Sequence, residues 1–141
     1  MISKQMTMSR PMVEIANSRG LECRVMDMCH LEFEDQAFDT TYAVRSVKNI
    51  VDRAGQEEAL KEICRVTRHR VIVFDSFESP GAPEKTPFYN LDLDLPQVKR
   101  VVQENGFRLV EQSFFPSKLL FLKTVTEQVS SEGCLIFDRI S

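Results

Sequence analysis

The order of apolar and polar residues along the chain predicts helices that alternate with strands. Between residues 53 and 66, apolar side chains recur at helical spacing and share one face, and Asp52 precedes them as a cap. Asp94 and Pro96 open a second amphipathic helix, which we expect to end at Asn105-Gly106. Both segments have the length and the boundary residues that are typical of helices in globular domains.

A further helix is predicted near the start of the chain. Residues 1–20 carry apolar side chains, from Met6 onward, at roughly helical spacing. Ser3 or Ser9 can cap this helix, and Gly20 is placed to end it.

Strands are predicted where apolar residues alternate with polar ones or form short continuous runs. These segments are residues 21–26, 40–44, 71–74, 107–111 and 118–125. The run at 71–74 is apolar throughout, which favours a strand buried in a parallel sheet. The last two segments are predicted to form an antiparallel pair. The chain is therefore expected to be an α/β protein with a partial Rossmann-like sheet, mostly parallel, and an antiparallel C-terminal hairpin.

No internal repeat or second-domain boundary is visible. We assign residues 1–127 to a single domain and residues 128–141 to a C-terminal tail. Within the tail, residues 134–137 are apolar and are expected to form an edge strand or to dock on a neighbour. Residues 76–95 hold three prolines and a glycine, so they are expected to be an irregular excursion that follows a strand.

Composition narrows the function classes. The chain has 141 residues, 18 Lys and Arg against 21 Asp and Glu, and a formal net charge of −3. This balance gives no overall electrostatic attraction to a nucleic-acid backbone or an anionic membrane, so neither is expected as a partner. The beginning of the chain lacks the apolar core of a signal peptide, and the four cysteines form no CxxC pair. We therefore expect a cytoplasmic protein with reduced thiols and no metal site.

Three motifs and one loop follow one another in a distinctive order. A strand end leads into a turn with the sequence Asp27-Met28-Cys29-His30-Leu31-Glu32-Phe33, followed by the pair Phe38-Asp39. The next strand runs into a loop with the sequence Ala43-Val44-Arg45-Ser46. A helix then reads Ala59-Leu60-Lys61-Glu62-Ile63-Cys64-Arg65-Val66. The last motif is Gly106-Phe107 followed by Glu111. In order and spacing, these segments resemble the class I S-adenosylmethionine-dependent methyltransferases, particularly the small-molecule branch called methyltransferase type 11.

The resemblance implies a function, a cofactor and site residues. The cofactor would be S-adenosylmethionine (SAM), and the methyl acceptor a small molecule. Asp27 and Met28 correspond to adenine-binding positions, where a carboxylate can accept a hydrogen bond from the exocyclic amine and Met28 can cover the base. Ala43 and Val44 correspond to the loop at the methionine end of the cofactor. The acceptor side would be lined by Arg45, Ser46, Phe88 and Tyr89.

The chain departs from the family at several positions, which include Lys48-Asn49, where a His pair is common, and His30, where an acidic residue is usual. The family has a Gly-rich loop after its first strand and an acidic residue after its second, but the five glycines here form no G-x-G. We therefore expect an incomplete domain that begins after that acidic residue, with open sheet edges that allow homo-oligomerisation. A further departure is Arg68-His69-Arg70, which stands where the family usually has Pro-Gly-Gly.

Simpler interpretations of the same residues stay open at this point. Asp27 can be a carboxylate that caps a turn, and Met28 can be a packing residue. Asp75 can shape an acceptor pocket or cap a loop. The alternative function is that of a catalytically inactive remnant that acts as an interaction or oligomerisation module.

Overall fold

The chain is described by a computed structural model that covers residues 4–7, 10–78, 91–115 and 131–141. Strand residues 4–7 and 131 are described by their backbone. No helix within these ranges is both long and apolar enough to cross a membrane. The predicted strand at 118–125 lies outside the described residues.

The described residues form three α-helices, one short 3-10 helix and six strands. The helices are α1 (Arg10–Ser18), α2 (Arg53–Val66) and α3 (Leu95–Glu104), and the 3-10 helix spans Val47–Asn49. The strands are β1 (Lys4–Thr7), β2 (Glu22–Val25), β3 (Phe38–Val44), β4 (Thr67–Phe77), β5 (Phe107–Phe115) and β6 (Ser131–Arg139).

The boundaries of α2 and α3 confirm the predicted caps. Asp52 accepts a hydrogen bond from the backbone N–H of Gly55 at 2.6 Å, and Asp94 accepts one from Gln97 at 3.0 Å. Each carboxylate satisfies a donor in the first turn that has no partner within its helix. Beyond α3, Gly106 has a φ of +91°, the left-handed conformation that favours glycine after a helix.

The strands form two sheets. β1 pairs with β2 in parallel, and the second sheet has the order β3-β4-β6-β5. In the second sheet only β3 and β4 are parallel, while β6 runs antiparallel to both of its neighbours. The α/β class is therefore confirmed, but the larger sheet is mixed rather than mostly parallel.

Of the two predicted starts of the first helix, the later one agrees with α1, which begins at Arg10. Residues 4–7 form β1, which pairs with β2 in the register Lys4↔Glu22 to Thr7↔Val25. The helix begins only at Arg10, which places Pro11 in the first turn, where its missing N–H costs no hydrogen bond. β1, α1 and β2 thus form one β-α-β unit. The expectation of an incomplete domain stays a prediction.

The C-terminal segment is an interior strand rather than an edge strand or a tail. β6 lies between β4 and β5 and pairs with both along its length. Leu135 and Phe137 are fully buried. The apolar run from 134 to 137 is therefore required by the core, and the described antiparallel partner of β5 is β6.

The core lies between one face of the four-stranded sheet and the helices α2 and α3. Its members are buried side chains of both helices and of alternate strand positions, including Leu60, Ile63, Val71, Val73, Val98, Val101, Val102, Phe107, Leu135 and Phe137. A smaller cluster of Met26, Leu31 and Val66 attaches the segment after β2 to the end of α2. This packing holds the carboxyl ends of β2, β3 and β4 around the beginning of α2.

Candidate cofactor and acceptor site

The predicted adenine position is a tight turn after β2. The Asp27 carboxylate accepts a hydrogen bond from the Cys29 N–H at 2.8 Å, and its carbonyl accepts one from the His30 N–H at 3.1 Å. Asp27 therefore caps the turn, as the simpler interpretation holds. Its side chain is nevertheless exposed, so a carboxylate with a fixed direction is presented to solvent.

The turn is fastened to the first turn of α2. Met28 is half-buried and packs against the main core. The Cys29 thiol donates to the carbonyl of Gly55 at 3.4 Å. Partial burial raises the pKa of Cys29, and the Asp27 carboxylate raises it further, so the thiol stays protonated and suited to donating.

The predicted methionine-end position follows β3. The Ala43 side chain is buried in the core, whereas the Val44 side chain is 54% exposed. The two side chains differ because alternate residues of a strand point to opposite faces. The role of Ala43 at the cofactor stays a prediction. Arg45 has a φ of +50°, and its N–H donates to the Phe74 carbonyl at 2.8 Å, so the chain turns sharply away from the sheet there.

The predicted acceptor-side residues lie on this sharp turn. Arg45 forms an ion pair with Glu132 of β6, and half-buried Ser46 precedes the 3-10 helix without capping it through its side chain. Phe88 and Tyr89 lie outside the described residues. Of the predicted acceptor-side set, the structure therefore brings Arg45 and Ser46 together beside β4.

Asp75 is a buried carboxylate at the end of β4. It accepts hydrogen bonds from the N–H of Ser76 at 2.9 Å and of Lys48 at 3.4 Å. Burial raises the pKa of Asp75, and the two backbone hydrogen bonds offset this only in part. Asp75 thus ties the loop after β3 to the end of β4, which agrees with the loop-capping alternative.

A polar network that the sequence analysis did not predict joins the first turn of α2 to the segments that follow the carboxyl end of β4. Arg53 donates to Glu78 at 3.0 Å, to Gln56 at 3.0 Å and to the Asp92 carbonyl at 2.6 Å. Fully buried Gln56 donates to the carbonyls of Ile50 and Leu91 at 3.0 and 2.7 Å. Arg53 and Gln56 occupy the first turn of a helix that looked ordinary in sequence, and only their buried position reveals the role.

The first turn of α2 is where the two halves of the predicted site meet. The Gly55 carbonyl accepts from the Cys29 thiol, and a Cβ at Gly55 would lie 2.6 Å from Cγ2 of Ile50. The close approach of Ile50 favours glycine at this position. Among the described residues, no group of three His, Cys, Asp or Glu side chains is arranged to hold a metal ion.

Comparison with known families decides the identity of this fold. A model described as "Methyltransferase domain" matches residues 3–74, just over half of the chain. The chain belongs to the class I methyltransferase family. The matched region contains β1 to β3 and β4 as far as Phe74, so Asp75 and Glu78 lie beyond it.

Curated relatives match a part of this chain. The probable tRNA methyltransferase 9B of Bos taurus is 39% identical to this methyltransferase-family chain over 56 residues, and the human protein is 36% identical over the same length. The match covers 40% of this chain and 12% of each relative. The chain therefore shares one segment with these much longer proteins.

Solved structures agree over nearly the complete chain. A SAM-dependent methyltransferase from Methanosarcina mazei matches with a TM-score of 0.73 at 11% identity, over 97% of this chain and 81% of that one. Geranyl diphosphate methyltransferase in complex with SAM matches with a TM-score of 0.75 at 15% identity, over 97% of this chain and 68% of that one. The [4+2]-cyclase SpnF also matches with a TM-score of 0.75 at 15% identity, over 96% of this chain and 66% of that one. At these identities the likeness shows the fold alone, and a cyclase among the neighbours means that the fold does not fix the reaction.

Proposed function

We propose that this chain binds SAM at the carboxyl ends of β2 and β3 and takes part in methyl transfer to an acceptor held beside β4. The observation that carries the proposal is that the turn after β2 and the end of the loop after β3 both contact the first turn of α2, through Cys29 on the Gly55 carbonyl and through the Ile50 carbonyl on Gln56. Asp27 and Met28 follow the end of β2, and Val44 is the last residue of β3. Ligands of open α/β folds bind at this end of the strands.

Each residue has a role that its geometry allows. The exposed Asp27 carboxylate accepts a hydrogen bond from the adenine amine, and Met28 covers the base with its half-buried thioether. Val44 supplies apolar contact at the methionine end. SAM supplies an already activated methyl group, so the protein has to align donor and acceptor and needs no catalytic triad. Arg45 and Ser46 would face the acceptor.

Two classes of acceptor follow from different observations. The resemblance of the motifs to the small-molecule branch favours a small-molecule acceptor. The relatives described as probable tRNA methyltransferases favour a nucleoside within RNA instead. A transfer assay with labelled SAM, offered either small-molecule extracts or total tRNA, separates these classes because the label enters different fractions.

The proposal is tested by titrating S-adenosylhomocysteine (SAH) into the purified 141-residue chain in a calorimeter. We expect micromolar binding that is lost in Asp27→Ala. Asp35→Ala is the matched control, since it removes an exposed carboxylate that pairs with Arg65 away from the turn. The proposal is wrong if the folded wild-type chain shows no heat of binding up to millimolar SAH, or if both variants bind as the wild type does.

A second candidate function is assembly through the open edge of β3. Within the described residues β3 pairs only with β4, and the segment from Thr40 to Val44 carries no charge. Such an edge lacks the charges that prevent strand addition, and the Tyr42 side chain on it is 56% exposed. Light scattering of the chain and of Tyr42→Lys tests this candidate. It requires an oligomer that the lysine dissociates, and a monomeric wild type excludes it.

A further inference from the structure

Gln56 occupies a position on α2 where the helix pattern favours an apolar side chain. It shares one face of the helix with Ala59, Leu60 and Ile63, which are buried in the core. Gln56 is itself 0% exposed. A buried amide is stable only when its polar atoms have partners, so the hydrogen bonds of Gln56 indicate why an amide stands there.

The Gln56 amide joins two segments that are distant in sequence. Its nitrogen donates to the Ile50 carbonyl at 3.0 Å and to the Leu91 carbonyl at 2.7 Å. Its oxygen accepts a hydrogen bond from Arg53 at 3.0 Å. The opposite orientation of the amide would place its oxygen against two carbonyl oxygens, so these contacts fix its orientation.

Arg53 holds one of these segments directly. It donates to the Asp92 carbonyl at 2.6 Å and to the Glu78 carboxylate at 3.0 Å. The Arg53 and Glu78 side chains are only 9% and 20% exposed. Both partners of Arg53 lie between the end of β4 and α3. Gln56 differs from Arg53 because its amide also holds the end of the loop after β3.

The two segments that Gln56 joins adjoin the residues proposed for the acceptor side. The loop after β3 begins with Arg45 and Ser46, and Gln56 holds its end. The Leu91 N–H donates to the Lys48 carbonyl at 2.8 Å, so the loop and the segment between β4 and α3 also contact each other directly. The amide therefore helps to set the spacing of two segments next to the acceptor side.

We propose that Gln56 is a positioning residue for methyl transfer, because it sets the loop after β3 against the segment between β4 and α3. This role rests on the proposed function. Methyl transfer requires the acceptor atom in line with the methyl group and its sulfur, and a small displacement lowers the rate strongly. Within the described residues, Gln56 makes no hydrogen bond to Asp27, Met28 or Val44. Its loss should therefore disturb the acceptor side more than cofactor binding.

The first test measures amide hydrogen exchange by NMR on the full 141-residue chain without ligand. Gln56→Met keeps an unbranched side chain of similar length but removes both donors. We expect the Ile50 and Leu91 N–H groups to exchange about tenfold faster in this variant, because the loss of one hydrogen bond corresponds to roughly this factor. Exchange at Ile63 and Val102, in the core, should change by less than about twofold.

Two further variants complete the exchange measurement. Gln103→Met makes the same chemical change at an exposed position of α3 and is the matched control, so Ile50 and Leu91 should exchange as in the wild type. Gln56→Asn keeps an amide that is one methylene shorter. It should accelerate exchange at the same two N–H groups by less than Gln56→Met does.

The second test separates cofactor binding from transfer. Calorimetric titration of Gln56→Met with SAH should give a Kd within about threefold of the wild-type value. Transfer of label from methyl-tritiated SAM to the small-molecule extract or to total tRNA should fall about ten- to hundredfold. A residue that only stabilises the fold would lower SAH binding and transfer in the same proportion, because both would follow the folded fraction.

Four results would each overturn the positioning role. They are wild-type exchange at Ile50 and Leu91 in Gln56→Met, exchange that rises equally at Ile63 and Val102, a loss of SAH affinity as large as the loss of transfer, and transfer at the wild-type rate. A wild type that binds no SAH or transfers no label refutes the proposed function. SAH binding and transfer by the wild type, together with any of the four results, refute the role of Gln56 alone.

Discussion

The interior position of β6 makes Phe137 a direct test of how the C-terminal segment is folded. Its side chain is 0% exposed, between Val71 of β4 and Leu109 of β5 in the strand register. A buried phenylalanine removes about 200 Å² from water, and truncation to alanine forfeits most of this area, about 3–4 kcal/mol at 25 cal/mol per Å². The remaining cavity brings the expected loss in the free energy of unfolding to about 3–5 kcal/mol.

Urea denaturation of Phe137→Ala, followed by circular dichroism, measures this loss. Phe137→Leu should cost less, because leucine keeps most of the apolar volume. Ile140→Ala is the control, since Ile140 is 59% exposed just beyond β6 and its truncation should change stability by less than about 0.5 kcal/mol. If Phe137→Ala costs no more than Ile140→Ala, the C-terminal segment is a tail and the strand order described above is wrong.

Three other substitutions test local features of the fold. Asp52→Ala should lower the free energy of unfolding by about 1 kcal/mol, because the Gly55 N–H loses its acceptor, while Asp52→Asn should cost less; urea denaturation of both variants checks this. Gly106→Ala should lower the free energy of unfolding by about 1–2 kcal/mol, because a Cβ is strained at a φ of +91°. A thermal unfolding temperature equal to that of the wild type would contradict the left-handed backbone conformation at residue 106. Asp75→Asn should stabilise the protein at pH 7. Burial raises the pKa of Asp75 above 3.8, so the folded state binds the proton more tightly than the unfolded state, and stability is lost as the pH rises through the folded-state pKa. The advantage of Asp75→Asn should therefore disappear below about pH 3.8, and a gain that persists there would point to a cause other than ionisation.

The elements with strong local signals were predicted correctly. The helix from Arg53 to Val66 was visible because its apolar stripe and its Asp52 cap agree, and the end at Asn105-Gly106 was visible because few residues adopt the conformation required there. These signals depend on neighbouring residues alone. They need no knowledge of what each element packs against.

The errors arose where pairing between distant segments decides the structure. Residues 4–7 contain no pattern that distinguishes a strand from a helix, and they become β1 by pairing with β2. Residues 131–139 alternate only weakly, yet they are held between β4 and β5. Strand pairing of this kind overrides local propensity.

The candidate site shows the same contrast between features set by local sequence and features set by distant contacts. The turn at Asp27 could be predicted because it follows a strand within a recognisable motif, whereas the burial of the Ala43 side chain depends on which face of β3 packs against the helices. The network around Arg53 and Gln56 could not be predicted, because its partners lie 25 to 39 residues away at Glu78, Leu91 and Asp92. Polar residues of a helix are normally exposed, and only the packing of two loops over this turn buries them.

The central claim is that a SAM-binding site exists where the turns after β2 and β3 meet. Ultraviolet cross-linking of methyl-tritiated SAM to the folded chain, followed by mass spectrometry of the labelled peptides, tests it most directly. The account predicts label on residues 27–30 or 44–46, and competition by unlabelled SAH should remove it. Label that is confined to other peptides, or that SAH does not remove, would contradict the account.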